Sequence, residues 1–514
     1  MSTPASEPNP NRWWTLAAVV VATFMLLLDI TIVNVALPAI QKDFHAGLSD
    51  LQWVVDAYAL SLAALQLTWG STADLRGRKL VFMAGLGLFT AASFLCGLAG
   101  SATSLNVARG LQGIGGAAMF ATSLALLAGA FQGRERGTAF GVWGATIGAS
   151  VAVGPLIGGA ITDGLGWQWI LWVNVPIGIA AIVFTQRKVD ESRNPNARSI
   201  DLPGVVVWSA GLFLLVLGLI RGNAQGWGSA RTVAELGGGL LLIAVFLVIE
   251  SRREEPMLDL SLFRNPAFAG VSIVAFVLSA AMFSMFLYLT LYIQNGLGYT
   301  PFETGLRFLP LTVVSFFVAA ASGRLVHSVP ARVLFGVGLG LVGLGLLLMH
   351  GITPQSDWTT LLGGMIAAGA GVGLCNPTIA QVAVGVVEPA RSGMASGINN
   401  TFRQVGIATG IAGLGAIYQA RVESKATSLL TATGVPGSKA EAVGHTLATQ
   451  QGGGGGRGGP IARIAEISFI SGLNDILMVA AIVAFTGAVL GVVLVRSSSF
   501  AHGAGEPEAA TAAA

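Results

Sequence analysis

Charge is scarce in this sequence. Asp, Glu, Lys and Arg make up 10% of its 514 residues, against about 25% in an ordinary soluble domain. A chain with so little charge and 53% hydrophobic residues cannot cover a water-facing surface, which excludes a soluble globular protein. Cysteine is nearly absent: Cys96 and Cys375 both fall inside apolar runs, so neither a disulfide framework nor a metal cluster is expected. The five histidines lie mostly in loops, and no P-loop, H-E-x-x-H or G-x-S-x-G occurs. These absences argue against a metal site, a catalytic triad, a nucleotide site, an enzyme or a cofactor. Gly338, Gly340 and Gly343 satisfy G-x-G-x-x-G, but they lie within an apolar run and not between a strand and a helix, so they are read as packing. The formal charge of +3 and pI near 9.0 are explained by basic loops, and no nucleic-acid partner is expected.

What the chain has in quantity is long apolar runs. Segments of about 20 apolar residues, enough to cross a bilayer's hydrocarbon, follow one another from Trp13 to Val495. The reading gives about fourteen, near 13–37, 51–70, 80–99, 103–127, 138–162, 167–186, 203–220, 232–250, 267–293, 304–322, 331–349, 358–387, 393–418 and 473–495. Backbone groups in lipid must be satisfied internally, and runs without alternation fit only helices. The first run carries Asp29, lacks a small-residue cleavage site and is read as retained. Basic residues such as Arg76, Arg78, Lys79, Arg134, Arg136, Arg187 and Lys188 gather on the side of both termini at roughly twice the density of the other side. This predicts a multi-pass protein of the cell membrane with both ends cytoplasmic.

The chain also repeats. Gly137, Ala139, Gly141, Gly154 and Gly159 fall at one constant offset on Gly393, Ala395, Gly397, Gly410 and Gly415. Gly113 and Gly115 fall on Gly369 and Gly371 at the same offset. The matching spans are an even number apart and point the same way, which predicts a parallel repeat about an axis along the membrane normal. The expected organisation is an N-terminal tail (1–12), a six-helix bundle (13–200), two extra transmembrane helices (201–255), a second six-helix bundle (256–495) with a long external loop (419–472), and a disordered tail (496–514). GGGGGRGG, residues 452–459, reads as a flexible tether.

Small residues let helix backbones approach closely in lipid, and a proline bends a helix. The glycine-dense stretch around Gly154, Pro155 and Gly158 is therefore either a pliant seam around which the halves rock or ordinary span packing.

These residues resemble the major facilitator superfamily, and within it the fourteen-span drug:proton antiporters. GVWGATIGASVAVGPLIGG, residues 141–159, is similar to that family's antiporter motif at Gly141, Gly154, Pro155, Gly158 and Gly159, with Ser150 where the motif has glycine. LDITIVNVALP (28–38), RGLQG (109–113) and WQWILWVNVP (167–176) resemble its first-, fourth- and sixth-span motifs. GSTADLRGRK (70–79) resembles the loop after the second span, where Gly70, Asp74, Arg76, Gly77 and Arg78 stand. Thr72 and Leu75 depart from that pattern, as Gln168 does in the sixth-span motif. The resemblance implies an all-α integral membrane protein of major facilitator fold, two pseudo-symmetric bundles plus two extra helices. It also implies that the first and fourth helices line a central cavity and that Asp74 helps to latch the halves in an outward-facing state.

A charge at mid-membrane is a functional candidate by default because it costs about 2.5–3.5 kcal/mol to insert. Asp29, Asp56 and Arg109 share one depth in the outer half of the spans. Asp29 is expected to be the main proton carrier, Asp56 a second candidate or an interfacial cap, and Arg109 the partner that keeps the acid ionised. Arg403, with Gln404 beside it, is the comparably deep charge of the second half, placed either to contact an anionic group of a substrate or to bond backbone carbonyls. Asn34, Gln112 and Asn400 complete the candidate cavity residues. The expected activity is export of small amphiphilic or antibiotic-like compounds in exchange for protons, by alternating access and as a monomer; the alternative is a dedicated exporter of one metabolite or lipid. A membrane enzyme or non-transporting receptor is disfavoured, since no catalytic constellation occurs and acids share a layer with an arginine.

Overall fold

The computed structural model describes residues 10–46, 48–131, 133–193, 202–253, 256, 258–326, 328–387, 392–449 and 459–495. The expected C-terminal tail, most of the N-terminal one and the glycine tether up to residue 458 lie outside the described residues. Within them all regular structure is helical. The first bundle comprises α1 (Arg12–Phe44), α2 (Leu48–Arg76), α3 (Arg78–Gly97), α4 (Ala102–Ala130), α5 (Gly133–Leu165) and α6 (Gln168–Lys188). Two further helices follow, α7 (Leu202–Gln225) and α8 (Ala230–Ser251). The second bundle comprises α9 (266–296), α10 (Pro301–Leu325), α11 (Ala331–Leu348), α12 (Leu362–Gly385), α13 (Ser392–Ala432) and α15 (Pro460–Leu494), with a short α14 (Gly437–Thr449) between the last two. Setting α14 aside, the helices correspond one to one with the expected spans. Among the described residues, 9 helices are long and apolar enough to cross a membrane by length and composition alone.

The repeat is visible in the contacts its glycines make. A Cβ on Gly115 of α4 would lie 2.8 Å from the Gly85 carbonyl oxygen of α3, and one on Gly371 of α12 would lie 2.8 Å from the Val342 amide of α11 and strike the Gly338 carbonyl. Gly113 likewise abuts the Tyr58 carbonyl of α2, and Gly369 the Leu311 carbonyl of α10. Tyr58, Gly85 and Phe89 are related to Leu311, Gly338 and Val342 by a second constant offset, slightly shorter than the first. Equivalent helices thus touch in equivalent register. Each of these glycines costs about 1 kcal/mol of helix propensity, a cost accepted where backbones pack this closely. Gly338 does so within α11, against Cys375 and Gly371, so the G-x-G-x-x-G pattern is packing.

The two main crossings between the bundles are α5 with α10 and α2 with α13. At the first, a Cβ on Gly141 would lie 3.3 Å from Gly323 Cα; at the second, a Cβ on Gly397 would lie 3.6 Å from Gly70 Cα. Gly141 corresponds to Gly397 and Gly70 to Gly323, so the seam itself obeys the pseudo-two-fold. Gly154 and Gly158 do not reach it. Gly154 packs on Thr31 and Gly158 on Ile32, both on α1 of the same bundle. The part of the motif helix that crosses between halves is Gly141, Gly144 against Pro377, and Gly148 against Ser315. The seam reading therefore fits Gly141, and the ordinary-packing reading fits Gly154 and Gly158. Pro155 and Gly159 lie on the same helix; the Pro155 side chain is outside the described residues.

Prolines shape the remaining helices. Pro176 removes the amide that would bond to Trp172, and α6 is notched there, at Val173. Pro377 frees the Gly373 carbonyl in α12, and the Ser322 hydroxyl of α10 donates to it at 3.2 Å. α9 is interrupted by two wider turns, Ser279–Phe283 and Tyr292–Gly296, of the kind that recurs at functional sites. α7 packs against α2 and α13, with Arg221 over the Trp53 ring of α2, and the Arg221–Glu235 ion pair at 2.7 Å ties α8 to α7.

One expectation is corrected. The segment read as a long loop, 419–472, is mostly helix where it is described. α13 continues past the expected end of its span to Ala432, α14 folds back, and α15 starts at Pro460. Ala426, Leu430, Ala440 and Ile464 form a small apolar core among them. Val422, Ala426 and Leu430 recur at helical spacing with polar residues between, an amphipathic pattern that a reading for apolar spans passes over.

Candidate functional site

Five helices converge on Asp29. It stands about halfway along α1, 1% exposed, and its carboxylate pairs with the Arg109 guanidinium of α4, also 1% exposed. Gln112, one helical turn after Arg109 and so on the same face, donates from Nε2 to Asp29 Oδ1 at 2.9 Å and to the Ser93 hydroxyl of α3 at 2.6 Å. Its Oε1 accepts from Arg109 Nη1 at 2.6 Å. Asn174, the first residue beyond the α6 notch, donates to Asp29 Oδ1 at 2.9 Å and to Ser93 at 3.2 Å. Arg109 Nε donates to the Val54 carbonyl of α2 at 3.0 Å, and the guanidinium lies 4.3 Å from the Tyr58 ring centroid. Every member is buried. The carboxylate accepts from three side chains, and the arginine donates to three groups and lies over the Tyr58 ring, the satisfied state that a buried ion pair requires.

Sequence reasoning brought Asp29 and Arg109 to one depth, and the structure joins them directly. It differs on Gln112, expected in the cavity: 0% exposed, it belongs to the sealed network because its turn of α4 faces the interior of the bundle. Asp29 and Arg109 themselves face that interior and are not among the described residues that line the cleft between the halves. Asp56 and Asn34 lie on α2 and α1, with side chains outside the described residues. Asn174, Ser93 and Tyr58 were not anticipated. Asn174 was within reach, since it stands in the quoted WQWILWVNVP stretch just before the proline that notches α6.

Between the halves lies a small cleft. Ile147 of α5, Met282 and Phe286 of α9, Leu311 and Thr312 of α10 and Asn376 of α12 contribute to its lining. Met282 comes from a wide turn, and Leu311 and Asn376 each adjoin a helix-bending proline, Pro310 and Pro377. A mainly apolar wall with a few polar groups is the usual make-up of a small-molecule site. Arg403 of α13, 4% exposed, stands behind that wall and donates from Nη2 to Asn376 Oδ1 at 2.6 Å. Asn400, one turn earlier, is buried and donates to the Phe120 carbonyl at 3.2 Å; Gln404 is half-buried.

At the end of the molecule that carries the N-terminus, Asp74 bridges the halves. Its Oδ1 accepts from Arg78 at 2.8 and 3.0 Å, and its Oδ2 accepts from the Met394 amide in the first turn of α13 at 2.9 Å. The carboxylate thus sits at the positive end of a helix in the other half. Gly77, at φ 121°, turns the chain between α2 and α3. A Cβ there would lie 2.7 Å from the Glu191 carboxylate, which accepts from the Lys79 and Leu80 amides at 3.0 Å and so caps α3. Arg76 is exposed.

The Major Facilitator Superfamily profile matches residues 19–411. The chain is similar to the multidrug resistance protein Stp of Mycobacterium tuberculosis, 39% identical over 413 residues that cover 80% of this chain and 77% of that protein. It is also similar to the tetracenomycin C resistance and export protein of Streptomyces glaucescens, 34% identical over 511 residues covering 95% and 92%. Among solved structures, the human organic anion transporter MFSD10 superposes with a TM-score of 0.64 at 13% identity, over 94% of this chain and 100% of that one, a likeness of fold. With the duplicated bundles and the central cleft, these matches show that the chain belongs to the Major Facilitator Superfamily and is a multi-pass membrane transporter, not an enzyme.

Proposed function

We propose that this protein is a proton-coupled exporter of small amphiphilic, drug-like compounds, working as an antiporter with both termini in the cytoplasm. The observation that carries the coupling is the sealed Asp29–Arg109 network and what adjoins it. Two residues along α1 from Asp29, Thr31 packs directly on Gly154 of α5, and the same α5 crosses the seam at Gly141 and borders the cleft at Ile147. Protonation turns the carboxylate from acceptor to part donor, so one of its three donors loses its partner and Arg109 is left without a counter-charge. An unpaired buried guanidinium is costly, and the way to relieve it is to move α4 against α1 and α2. That motion reaches the cleft through α5. The apolar wall of the cleft supports an amphiphilic cargo, as do relatives named for multidrug resistance and for tetracenomycin C resistance and export.

In inverted vesicles energised by a pH gradient, Asp29→Asn is expected to abolish gradient-driven substrate uptake while leaving substrate binding measurable. Full gradient-driven uptake by the variant would show that the proton travels elsewhere.

A further inference from the structure

We propose that the cleft is an anion site built around Arg403, and that the compounds carried bear an acidic group on an apolar frame. The inference deepens the reading above and rests on its choice of the cleft as the substrate site.

The two deep arginines are treated differently by their surroundings. Arg109 has a carboxylate; Arg403, equally removed from water, has as its hydrogen-bond partner among the described residues the neutral side chain of Asn376. Its Nε is buried with no partner among those residues. A guanidinium stays protonated at any physiological pH, so its charge persists in a low-dielectric interior where a charge without a counter-ion is strongly disfavoured.

Most of the buried polar atoms without a partner around it are donors, with the Asn400 Oδ1, one turn before Arg403, an acceptor among them. On the same face of α13, one turn before Arg403, the Asn399 Nδ2 is buried and unpartnered, and so is the indole Nε1 of Trp143. Trp143 belongs to this neighbourhood by contact: its ring stacks on Phe120 at 5.9 Å, Phe120 receives the hydrogen bond of Asn400, and the next residue, Gly144, packs on Pro377 beside Asn376. Buried donors beside an unbalanced positive charge recognise an acceptor that is negative. Asn376 connects this set to the cleft, since it both lines the cleft and holds Arg403. A carboxylate, sulfonate or phenolate at the Asn376 end would take the counter-charge role, with its apolar frame along Ile147, Met282 and Phe286.

The test is binding to the purified full-length protein in detergent, with three probes on one frame: anthracene carboxylate, its neutral carboxamide and the aminomethyl cation. The wild type is expected to bind the carboxylate about tenfold or more tighter than the cation. Arg403→Gln is expected to erase that preference while leaving the carboxamide unchanged, which also reports that the site is folded. Arg403→Lys, which keeps the charge but loses the planar fork, retains part of the preference and guards against a folding failure of the glutamine variant. Equal binding of carboxylate and cation by the wild type would overturn the proposal, as would an equal loss for all three probes on substitution. Repeating the titration in chloride and in gluconate separates the sources of the negative charge. Competition by chloride against the carboxylate alone identifies a resident inorganic anion that the substrate displaces, and absence of competition assigns the role to the substrate's own group; either result supports an anion site. Because binding is read without a gradient, failure of proton coupling leaves this result standing, and a charge-blind cleft leaves proton-driven export standing.

Discussion

Arg109→Leu is expected to destabilise the protein by about 3–5 kcal/mol, the usual cost of stripping one partner from a buried ion pair. The cost falls on Asp29, which keeps Gln112 and Asn174 as donors but loses its counter-charge, and on the Val54 carbonyl, which loses the Arg109 Nε–H. The double variant Asp29→Leu/Arg109→Leu removes both charges and is expected to recover most of that stability while transporting nothing. Arg109→Lys should fall between them, because one ammonium cannot hold Asp29, Gln112 and Val54 in the guanidinium's planar arrangement. Thermal denaturation of the three purified variants measures the order. If Arg109→Leu melted with the wild type, the ion pair would be a bystander and the coupling account would fail with it.

Asp74→Ala is expected to move the resting population toward the state that is open at the terminal face. The carboxylate joins α3 to the first turn of α13 across the halves, and a hydrogen bond to a charged group contributes about 1.5–3 kcal/mol. Losing it changes a two-state ratio by about tenfold or more. A cysteine at position 396, buried on α13 next to the Gly397–Gly70 crossing, reports the change. Maleimide should label Ser396→Cys slowly in the wild-type background and about tenfold faster with Asp74→Ala. Asp74→Asn, which still accepts from the Met394 amide but no longer pairs with Arg78, should give an intermediate rate. Identical labelling in all three would show that the latch does not hold this face closed.

Much of this architecture is legible in the sequence because membrane helices announce themselves: lipid forbids unsatisfied backbone, so each span is an apolar run. The repeat is legible because glycines at backbone contacts have no substitute, and Gly115 and Gly371 kept their register while the residues around them drifted. Depth put Asp29 and Arg109, with Asp56, in one layer, and their pairing was expected together with the placement of the first and fourth helices that the resemblance implies. What depth does not reveal is direction around the helix axis. Gln112 faces the interior of its own bundle, Asn400 faces α4 of the other half, and Gly154 and Gly158 face α1 instead of the other half. A span with polar, small and apolar residues on several faces gives no single stripe from which to assign a rotation. The α13–α15 extension was missed for a complementary reason: outside the bilayer its helices need only a half-apolar face, and Ala426, Leu430 and Ala440 supply one without a run long enough to read as a span.

The central claim is that occupation of the cleft and protonation of Asp29 are linked. Linkage is reciprocal: if protonation weakens substrate binding, substrate binding must drive protons off. Adding substrate to the purified protein in weakly buffered solution, started at a pH low enough to protonate Asp29 and break its pairing with Arg109, should therefore release up to about one proton per substrate bound from the wild type and none from Asp29→Asn. Equal release from both proteins, or no release from the wild type while substrate binds, would contradict the account.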